Sequence, residues 1–312
     1  MKQTVLVLAG GPDAEREVSL AGGRAVAQAL FNSPEYNVEY HVISTLSASQ
    51  LAELPGDVIF PVLHGPWGEG GPLQDLLQND GRPYVGSAPD AARKAMNKII
   101  SKNIARDISL PVLPHSVVSR GVIPADSPQP PVIIKPVDDG SSVNLFLCRT
   151  EDEINKAVTE AASHHQQLMI EKYAPGRELT VGIIADQALP LLEIIPAQGL
   201  YSFAAKYDRD DTRYVFDPPG VSAEIQDNLR SMSLNLFNAL GCRHLARVDW
   251  ILQENNEPVF LEINTMPGFT AHSLVPMAAA RAGLDMTAFC EKLVDLALAD
   301  RSAEKTGINT ST

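Results

Sequence analysis

Arg247 and Asp249 stand two residues apart in the run Leu245 to Leu252, and Glu262 and Asn264 stand two apart in Pro258 to Asn264. Side chains two apart on a strand share a face. The turn-rich Gln253-Glu254-Asn255-Asn256-Glu257 between the runs predicts an antiparallel hairpin. If the register aligns the pairs, two carboxylates and an amide oxygen converge beside a guanidinium. Hard oxygen donors of this kind suit Mg²⁺ rather than zinc, and Mg²⁺ sites with few protein ligands leave room for water and nucleotide phosphates. The other reading is a surface hairpin whose charges form exposed ion pairs. Val248, Trp250, Phe260, Leu261 and Ile263 are apolar and expected on the opposite face, which gathers the charges on one side. The pattern alone leaves both readings open.

Lys135 ends an apolar strand and Lys98 lies on a helix; each alone reads as a solvated lysine. The turn Asp139-Gly140-Ser141-Ser142-Val143 offers successive backbone N–H groups that could cradle phosphate, although a glycine turn is usually only a turn. The chain contains neither G-x-x-x-x-G-K-[ST] nor G-x-G-x-x-G, which excludes a P-loop and disfavours a dehydrogenase. The stretch His64-Gly65-Pro66-Trp67-Gly68-Glu69-Gly70-Gly71-Pro72 lets backbone approach a ligand closely but also serves loops without one. His164 and His165 are adjacent, hence on different helix faces, and read as a solvated corner. No Ser-His-Asp or Cys-His grouping stands out, so a catalytic cysteine is not expected.

The elements that must position these residues follow from pattern and composition. At 312 residues the chain is long enough for two or three domains. Lys+Arg number 25 against 38 Asp+Glu, a formal charge of −13 with no basic patch, which argues against nucleic acid and anionic membrane as partners. Three dispersed cysteines, Cys148, Cys242 and Cys290, fit reduced thiols in the cytoplasm. The opening Thr4 to Leu8 is too short for a secretory core and reads as a first strand. A helix from about Glu15 to Leu30 and strands Val38 to Ile43 and Asp57 to Leu63 suggest parallel βαβ units, whose ligands sit where strands end. One helix, capped by Ser87 or Asp90 and running to about Asp107, is expected to turn Met96, Ile99, Ile100 and Ile104 inward. Strands Val132 to Lys135, Val143 to Cys148, Leu168 to Glu171, Glu178 to Ile184 and Leu189 to Ile195 follow, with a helix from Glu151 to Ala162. A long polar loop over 200–220, a helix from about Ser222 to Leu240, the hairpin and a helix from Met286 to Leu298 complete the chain, with a frayed tail after Asp300.

Ala14-Glu15-Arg16-Glu17-Val18-Ser19-Leu20, His64-Gly65, Gly140-Ser141-Ser142-Val143, Arg247-Val248-Asp249, Glu262-Ile263-Asn264-Thr265-Met266-Pro267-Gly268-Phe269-Thr270 and Ser273-Leu274-Val275-Pro276 occur in that order. Each motif is weak alone, but the ordered set, over about residues 5 to 295, resembles the D-alanine–D-alanine ligases of the ATP-grasp superfamily. The resemblance implies an α/β, three-domain ATP-grasp architecture. An N-terminal Rossmann-like parallel-sheet domain (1–88) precedes two α+β units, 89–171 and 172–312, that clasp ATP. It implies ATP-dependent condensation of two D-alanines through a D-alanyl phosphate for peptidoglycan precursors, with a homodimer as the suggested assembly.

The resemblance also assigns roles. Asp249, Glu262 and Asn264 would hold two Mg²⁺ ions, Mn²⁺ being the alternative metal. Lys98, Lys135 and Lys206 would contact the ATP phosphates; Glu171, Lys172, Tyr173 and Ala174 would border the adenine and Glu178 the ribose. Glu15 would bind the ammonium of the first D-alanine and His64 would orient it. Ser273 and Leu274 would hold the second substrate's carboxylate, while Arg247 and the Gly268 N–H would form an oxyanion hole. Tyr207 would link through Ser141 to Glu15 and favour the dipeptide over D-alanyl-D-lactate, and the 200–220 loop would shield the acyl phosphate. Gly70, Pro72 and Asn144 depart from the family's usual Asp, Thr and Gly, which points to an altered nucleotide affinity. A ligase for another acid and amine is disfavoured by Glu15, Ser273 and Leu274. A non-catalytic relative should have lost an ion ligand or phosphate lysine, and this chain keeps them.

Overall fold

The computed structural model describes residues 2–140, 145–197 and 211–306, with side chains described through Asp300. The apolar runs at the start of the chain pair as a parallel sheet of order β2-β1-β3, from β1 (Gln3–Gly10), β2 (Tyr36–Ile43) and β3 (Val58–Val62). The intervening helices, α1 (Arg16–Phe31) and α2 (Ala48–Glu53), are the crossovers. Val5, Val7 and Phe60 on one face and Leu6, Leu8 and Ile59 on the other are fully buried, as a sheet covered on both faces requires. Close packing of α1 on β1 rests on Gly23, where a Cβ would come within 2.5 Å of Ala9 Cβ.

After β3 come α3 (Gly65–Gly68) and α4 (Pro72–Asp80). Pro72 occupies the first turn of α4, where its missing N–H has no intrahelical partner to lose. A Cβ on Gly70 would lie 2.4 Å from the Pro66 carbonyl oxygen, so the backbone here is built around glycine. Neither residue lines the nucleotide-sized cavity described below.

The single helix expected up to Asp107 is two, α5 (Pro89–Met96) and α6 (Lys98–Asp107). Asn97 leaves the helical region (φ −82°, ψ 105°), and its side chain accepts from the Ile99 and Ile100 N–H groups, so a new helix starts at Lys98. The first helix is preceded by Ala88 rather than by a Ser87 or Asp90 cap. The inward face also differs from expectation: Lys98, Ser101, Lys102 and Ala105 are buried, whereas Ile100 is exposed. Apolar spacing misassigns this face because the groups packed against it are polar.

A second, antiparallel sheet has the order β4-β7-β5-β6: β4 (His115–Ser119), β5 (Val132–Pro136), β6 (Phe146–Cys148) and β7 (Gln167–Lys172). Helix α7 (Glu151–Ala161), capped by Thr150, closes its core with Ile154 and Val158 against Ile134 and Ile170. The third sheet is also antiparallel, of order β11-β10-β8-β12-β13. Its strands are β8 (Arg177–Ile184), β9 (Gln187–Ala188, paired to β8), β10 (Leu192–Ile195), β11 (Arg213–Phe216), β12 (Leu245–Leu252) and β13 (Pro258–Asn264). β11 falls inside the segment expected to be a loop over 200–220, held there by pairing to β10.

Helix α8 (Ala223–Leu240), capped by Ser222, backs this sheet, and Trp250 is fully buried with Nε1 donating to Ser233 Oγ at 2.9 Å. Helices α9 (Leu274–Arg281) and α10 (Met286–Thr306) finish the chain; α9 was not foreseen, and α10 runs past Asp300. Ala91, Ala95 and Ala105 share a core with Leu179, Val248 and Trp250, so α5 and α6 rest on the third sheet. Among the described residues no helix is long and apolar enough to cross a membrane.

The first and third sheets are also tied by His244. The Gly86 N–H donates to His244 Nδ1 at 3.0 Å, which puts the ring proton on Nε2, 3.0 Å from Asp300 Oδ2. Burial holds this imidazole below its usual range, partly opposed by Asp300. The unfolded chain therefore takes up the proton first, near pH 6.5, and the tie's contribution is lost as pH falls below that value. His244→Gln is expected to cost about 2 kcal/mol at neutral pH by stranding a buried N–H. Thermal unfolding should show the gap between wild type and variant narrowing from pH 7 to pH 5.5; a gap that widened would contradict this tautomer.

Candidate active site

The hairpin register decides what the sequence left open. Arg247 pairs with Asn264, and Asp249 pairs with Glu262, directly across β12 and β13. Beyond that point the ladder slips: Trp250 pairs with Phe260, so Leu261 is the extra residue of a β-bulge. The bulge has a chemical consequence. Phe260 and Ile263 both go to the core with Val248 and Trp250, while Leu261 and Glu262 both line a cavity on the other face. Leu261 was expected on the apolar side, and the extra residue breaks the period-two alternation that put it there.

Asp249 is 4 % exposed and heavily bonded. Arg247 Nε donates to its two oxygens at 3.0 and 3.1 Å, Arg247 Nη2 donates at 2.8 Å, and Thr180 Oγ1 on the neighbouring strand β8 donates at 2.6 Å. Glu262 Oε2 lies 3.8 Å from the Lys98 ammonium. Asn264 Oδ1 accepts from the Met266 N–H at 2.8 Å, which orients the amide and starts the turn out of β13. Among the described residues no three His, Cys, Asp or Glu side chains are placed to hold a metal, so a cation here needs the Asn264 amide oxygen to complete the set. All three donors are hard oxygens on one face. That donor set fits Mg²⁺ and is wrong for zinc.

The cavity, of about 400 Å³, lies between the second and third sheets. Lys98, Lys135, Asp139, Gly140 and Glu262 line its charged part, and Leu113, Ile133, Ile195, Ile251 and Leu261 give it apolar walls. A flat base between aliphatic side chains and a charged tail toward lysines is the ligand shape this lining suits. Lys172, Tyr173, Ala174 and Glu178, the residues expected at adenine and ribose, line it too, though the Lys172 ammonium is held by the carbonyls of Gln129 and Pro130.

Glu171 also borders the cavity, but its carboxylate is committed elsewhere: Oε1 is 2.7 Å from Lys102 Nζ and Oε2 is 2.9 Å from Lys135 Nζ. Burial would push this carboxyl up, yet the two lysines hold it below the usual range. Lys102, Thr180 and the Arg177–Glu193 pair on the cavity rim (2.6 and 2.7 Å) were not foreseen. For Lys102 a signal existed, since it lies one turn from Lys98 on the same helix face.

A second cluster forms where β1 and β3 end. Glu15, the residue preceding α1, is buried, and its carboxylate lies so near Gly140 that a Cβ there would be 3.0 Å from Oε2. Ser19 receives the Gly10 N–H at 2.8 Å and donates to the Val62 carbonyl, and Arg16 Nη1 donates to the Gly11 and Ile43 carbonyls at 2.8 Å. These two residues of the Ala14–Leu20 motif therefore lock the strand ends that present Glu15 and His64.

His64 is 4 % exposed with Nδ1 2.9 Å from the Met266 carbonyl. A carbonyl only accepts, so Nδ1 carries the proton and Nε2 presents a lone pair with no partner among the described residues. Burial holds this imidazole below its usual range against the pull of Glu15. Glu69, also unforeseen, is buried beside Glu15, and burial together with that neighbouring charge pushes its carboxyl well above the usual carboxylate range.

Gly268 and Ser273 face each other in the loop before α9: a Cβ on Gly268 would lie 2.7 Å from Ser273 Oγ. That hydroxyl bonds to the Thr270 N–H at 3.1 Å and the Thr270 hydroxyl at 2.9 Å. The Leu274 side chain is buried with Leu192 and Ile194, which leaves its backbone N–H in the first turn of α9 as the group that can meet a ligand. Phe269 packs edge-on to Phe60 at 5.2 Å, seating this loop in the N-terminal core next to His64. Ser141, Asn144, Lys206 and Tyr207 lie outside the described residues.

Comparison with known proteins matches this geometry to a family. Residues 123–295 match the family model described as the D-ala D-ala ligase C-terminus. A D-alanine–D-alanine ligase of Methylacidiphilum infernorum (isolate V4) is 36% identical over 295 residues, 94% of each chain. A solved D-alanine–D-alanine ligase of Bacillus anthracis complexed with ATP superposes with a TM-score of 0.84 at 26% identity, covering 97% of this chain and 99% of that one. The VanG D-Ala:D-Ser ligase of Enterococcus faecalis shares the fold at the same TM-score and 24% identity, covering 95% and 100%. With the paired Arg247–Asn264 and Asp249–Glu262 on its third sheet, the chain belongs to the D-alanine–D-alanine ligase family.

Proposed function

We propose that the protein joins two D-alanines to D-alanyl-D-alanine, converting ATP to ADP and phosphate, and so supplies a peptidoglycan precursor. The observation that supports the mechanism is the hairpin register, which brings Asp249, Glu262 and Asn264 to one face of the strand pair, with Glu262 lining the charged part of the cavity. ATP lies in that cavity with its base between Ile133, Ile251 and Leu261, its ribose toward Glu178 and its phosphates toward Lys98 and Lys135. The phosphate turn at Gly140 then leads the transferring group toward Glu15.

A carboxylate is a poor acyl donor. One oxygen of the first D-alanine's carboxylate attacks the γ-phosphorus, the bond to the β,γ-bridging oxygen breaks, and ADP leaves. The deprotonated amine of the second D-alanine adds to the acyl phosphate carbon, and phosphate departs as the amide forms. Glu15 balances the first substrate's ammonium, and the His64 Nε2 lone pair accepts one of its N–H groups. Arg247 and the Gly268 N–H stabilise the oxyanion of the tetrahedral intermediate, and Ser273 with the Leu274 N–H holds the second carboxylate. Asp249, Glu262 and Asn264 would hold Mg²⁺ or Mn²⁺, which when bound would neutralise charge on the phosphoryl oxygens. Lys206, Ser141 and Tyr207 belong to the same reading as phosphate contact and substrate link.

The division into units 1–88, 89–171 and 172–312, a cytoplasmic location where ATP is available and a homodimer complete the proposal. Phosphate release with D-alanine, set against L-alanine, D-serine and D-lactate as competing second substrates, tests it. Release that requires D-alanine and yields the dipeptide is expected. Equal release with L-alanine would overturn the assignment, and preference for D-lactate at neutral pH would overturn the product.

A further inference from the structure

Among the described residues, Lys98, Lys102 and Lys135 stand around the charged part of the cavity. Lys98 and Lys135 face it; Lys102, one turn along α6 from Lys98, is 0 % exposed. A lysine is almost never fully enclosed without a partner, and this one has two. Its ammonium is 2.7 Å from Glu171 Oε1 and donates to the Phe260 carbonyl at 2.9 Å, standing 5.2 Å from that ring's centroid. Glu171 in turn is 2.9 Å from Lys135. One side chain thus joins α6, β7 and β13.

Charge counting explains the arrangement. A buried Glu171 with Lys135 as its sole counter-ion would neutralise the lysine that faces the phosphates. A second ammonium leaves the trio with a net positive charge on the cavity side. Its bond to Phe260 acts on the other wall: Phe260 is the last residue before the bulge that turns Leu261 and Glu262 into the cavity.

We propose that Lys102 is a positioning residue for nucleotide binding, which offsets Glu171 so that the charge of Lys135 is left for the phosphates. The proposal rests on the ATP-dependent reading above. It is tested by steady-state kinetics and by ADP titration calorimetry on the wild type, Lys102→Met and the double variant Lys102→Met/Glu171→Gln. Lys102→Met is expected to weaken ADP and raise the KM for ATP about tenfold while the KM for D-alanine stays within about twofold. The double variant removes the carboxylate together with its counter-charge, so it should recover most of the ADP affinity.

ADP binding by Lys102→Met equal to wild type would overturn the proposal, as would a double variant that binds no better than the single one, since a packing role predicts that result. If Lys102→Met fails to fold, the double variant decides alone: near-wild-type ADP affinity supports the proposal and weak binding overturns it. If neither folds, the role belongs to the fold and the proposal fails. A wild type that forms no ADP in response to D-alanine would instead sink the ligase reading, while the ADP titration still decides on Lys102.

Discussion

Glu262→Gln is expected to lower turnover about 10³-fold while leaving the melting temperature near that of wild type. Asp249 already accepts three bonds from Arg247 and one from Thr180, so Glu262 is the other carboxylate that this face brings to a cation. Glutamine has the same shape and half-buried setting, and the pairing of Glu262 to Asp249 is a backbone property that the side chain does not set. The charge is what is lost. A cation on transferring phosphoryl oxygens is worth several kcal/mol in the transition state, and about 1.4 kcal/mol is a factor of ten. Coupled ADP release across a Mg²⁺ titration is the measurement. Residual activity should shift to higher Mg²⁺, because the two remaining donors are intact; turnover near wild type at ordinary Mg²⁺ would remove Glu262 from the metal site.

What the sequence made legible was whatever depends on local period. Arg247, Asp249, Glu262 and Asn264 could be placed on one face because strand alternation is short-range, and the strand bounds Leu245–Leu252 and Pro258–Asn264 match. The parallel first sheet followed from interleaved strand and helix signals in the same way. Leu261 was not legible, since a bulge depends on how two strands with unequal residue counts meet a third element, here Pro111, whose carbonyl accepts the Phe260 N–H at 2.8 Å. Nor was the inward face of α6. Lys98 read as solvated and Lys102 drew no notice because their partners, Asp139, Glu171, Phe260 and Glu262, lie 41 to 164 positions away. Burial of a charge is decided by tertiary partners, and no window of sequence contains them. Glu69 failed for the same reason: its carboxyl is pushed up because folding places it, enclosed, beside Glu15.

Arg247→Ala is expected to reduce peptide formation by 10² to 10³ and to cost about 3–5 kcal/mol of stability, two effects with separate causes. The first is the loss of the donor proposed above for the negative charge that develops on the attacked carbonyl. The second is structural: Arg247 is the two-pronged partner of a carboxylate that is 4 % exposed, and its removal leaves Asp249 with the Thr180 hydroxyl as its described side-chain partner. A single variant confounds the two, and Arg247→Lys separates them. Lysine restores a positive charge beside Asp249 but cannot reproduce the planar fork that bonds both oxygens at 2.8 to 3.1 Å. Most of the lost melting temperature should return while turnover stays low. Nucleotide binding should change least of all, because Arg247 does not line the cavity and Lys98 and Lys135 do. The decisive comparison is the KM for ATP against kcat in both variants. If Arg247→Ala kept turnover within tenfold of wild type, the guanidinium would be a structural partner of Asp249 and nothing more. If its loss fell mainly on the KM for ATP, the charge would belong to the nucleotide rather than to the acyl centre.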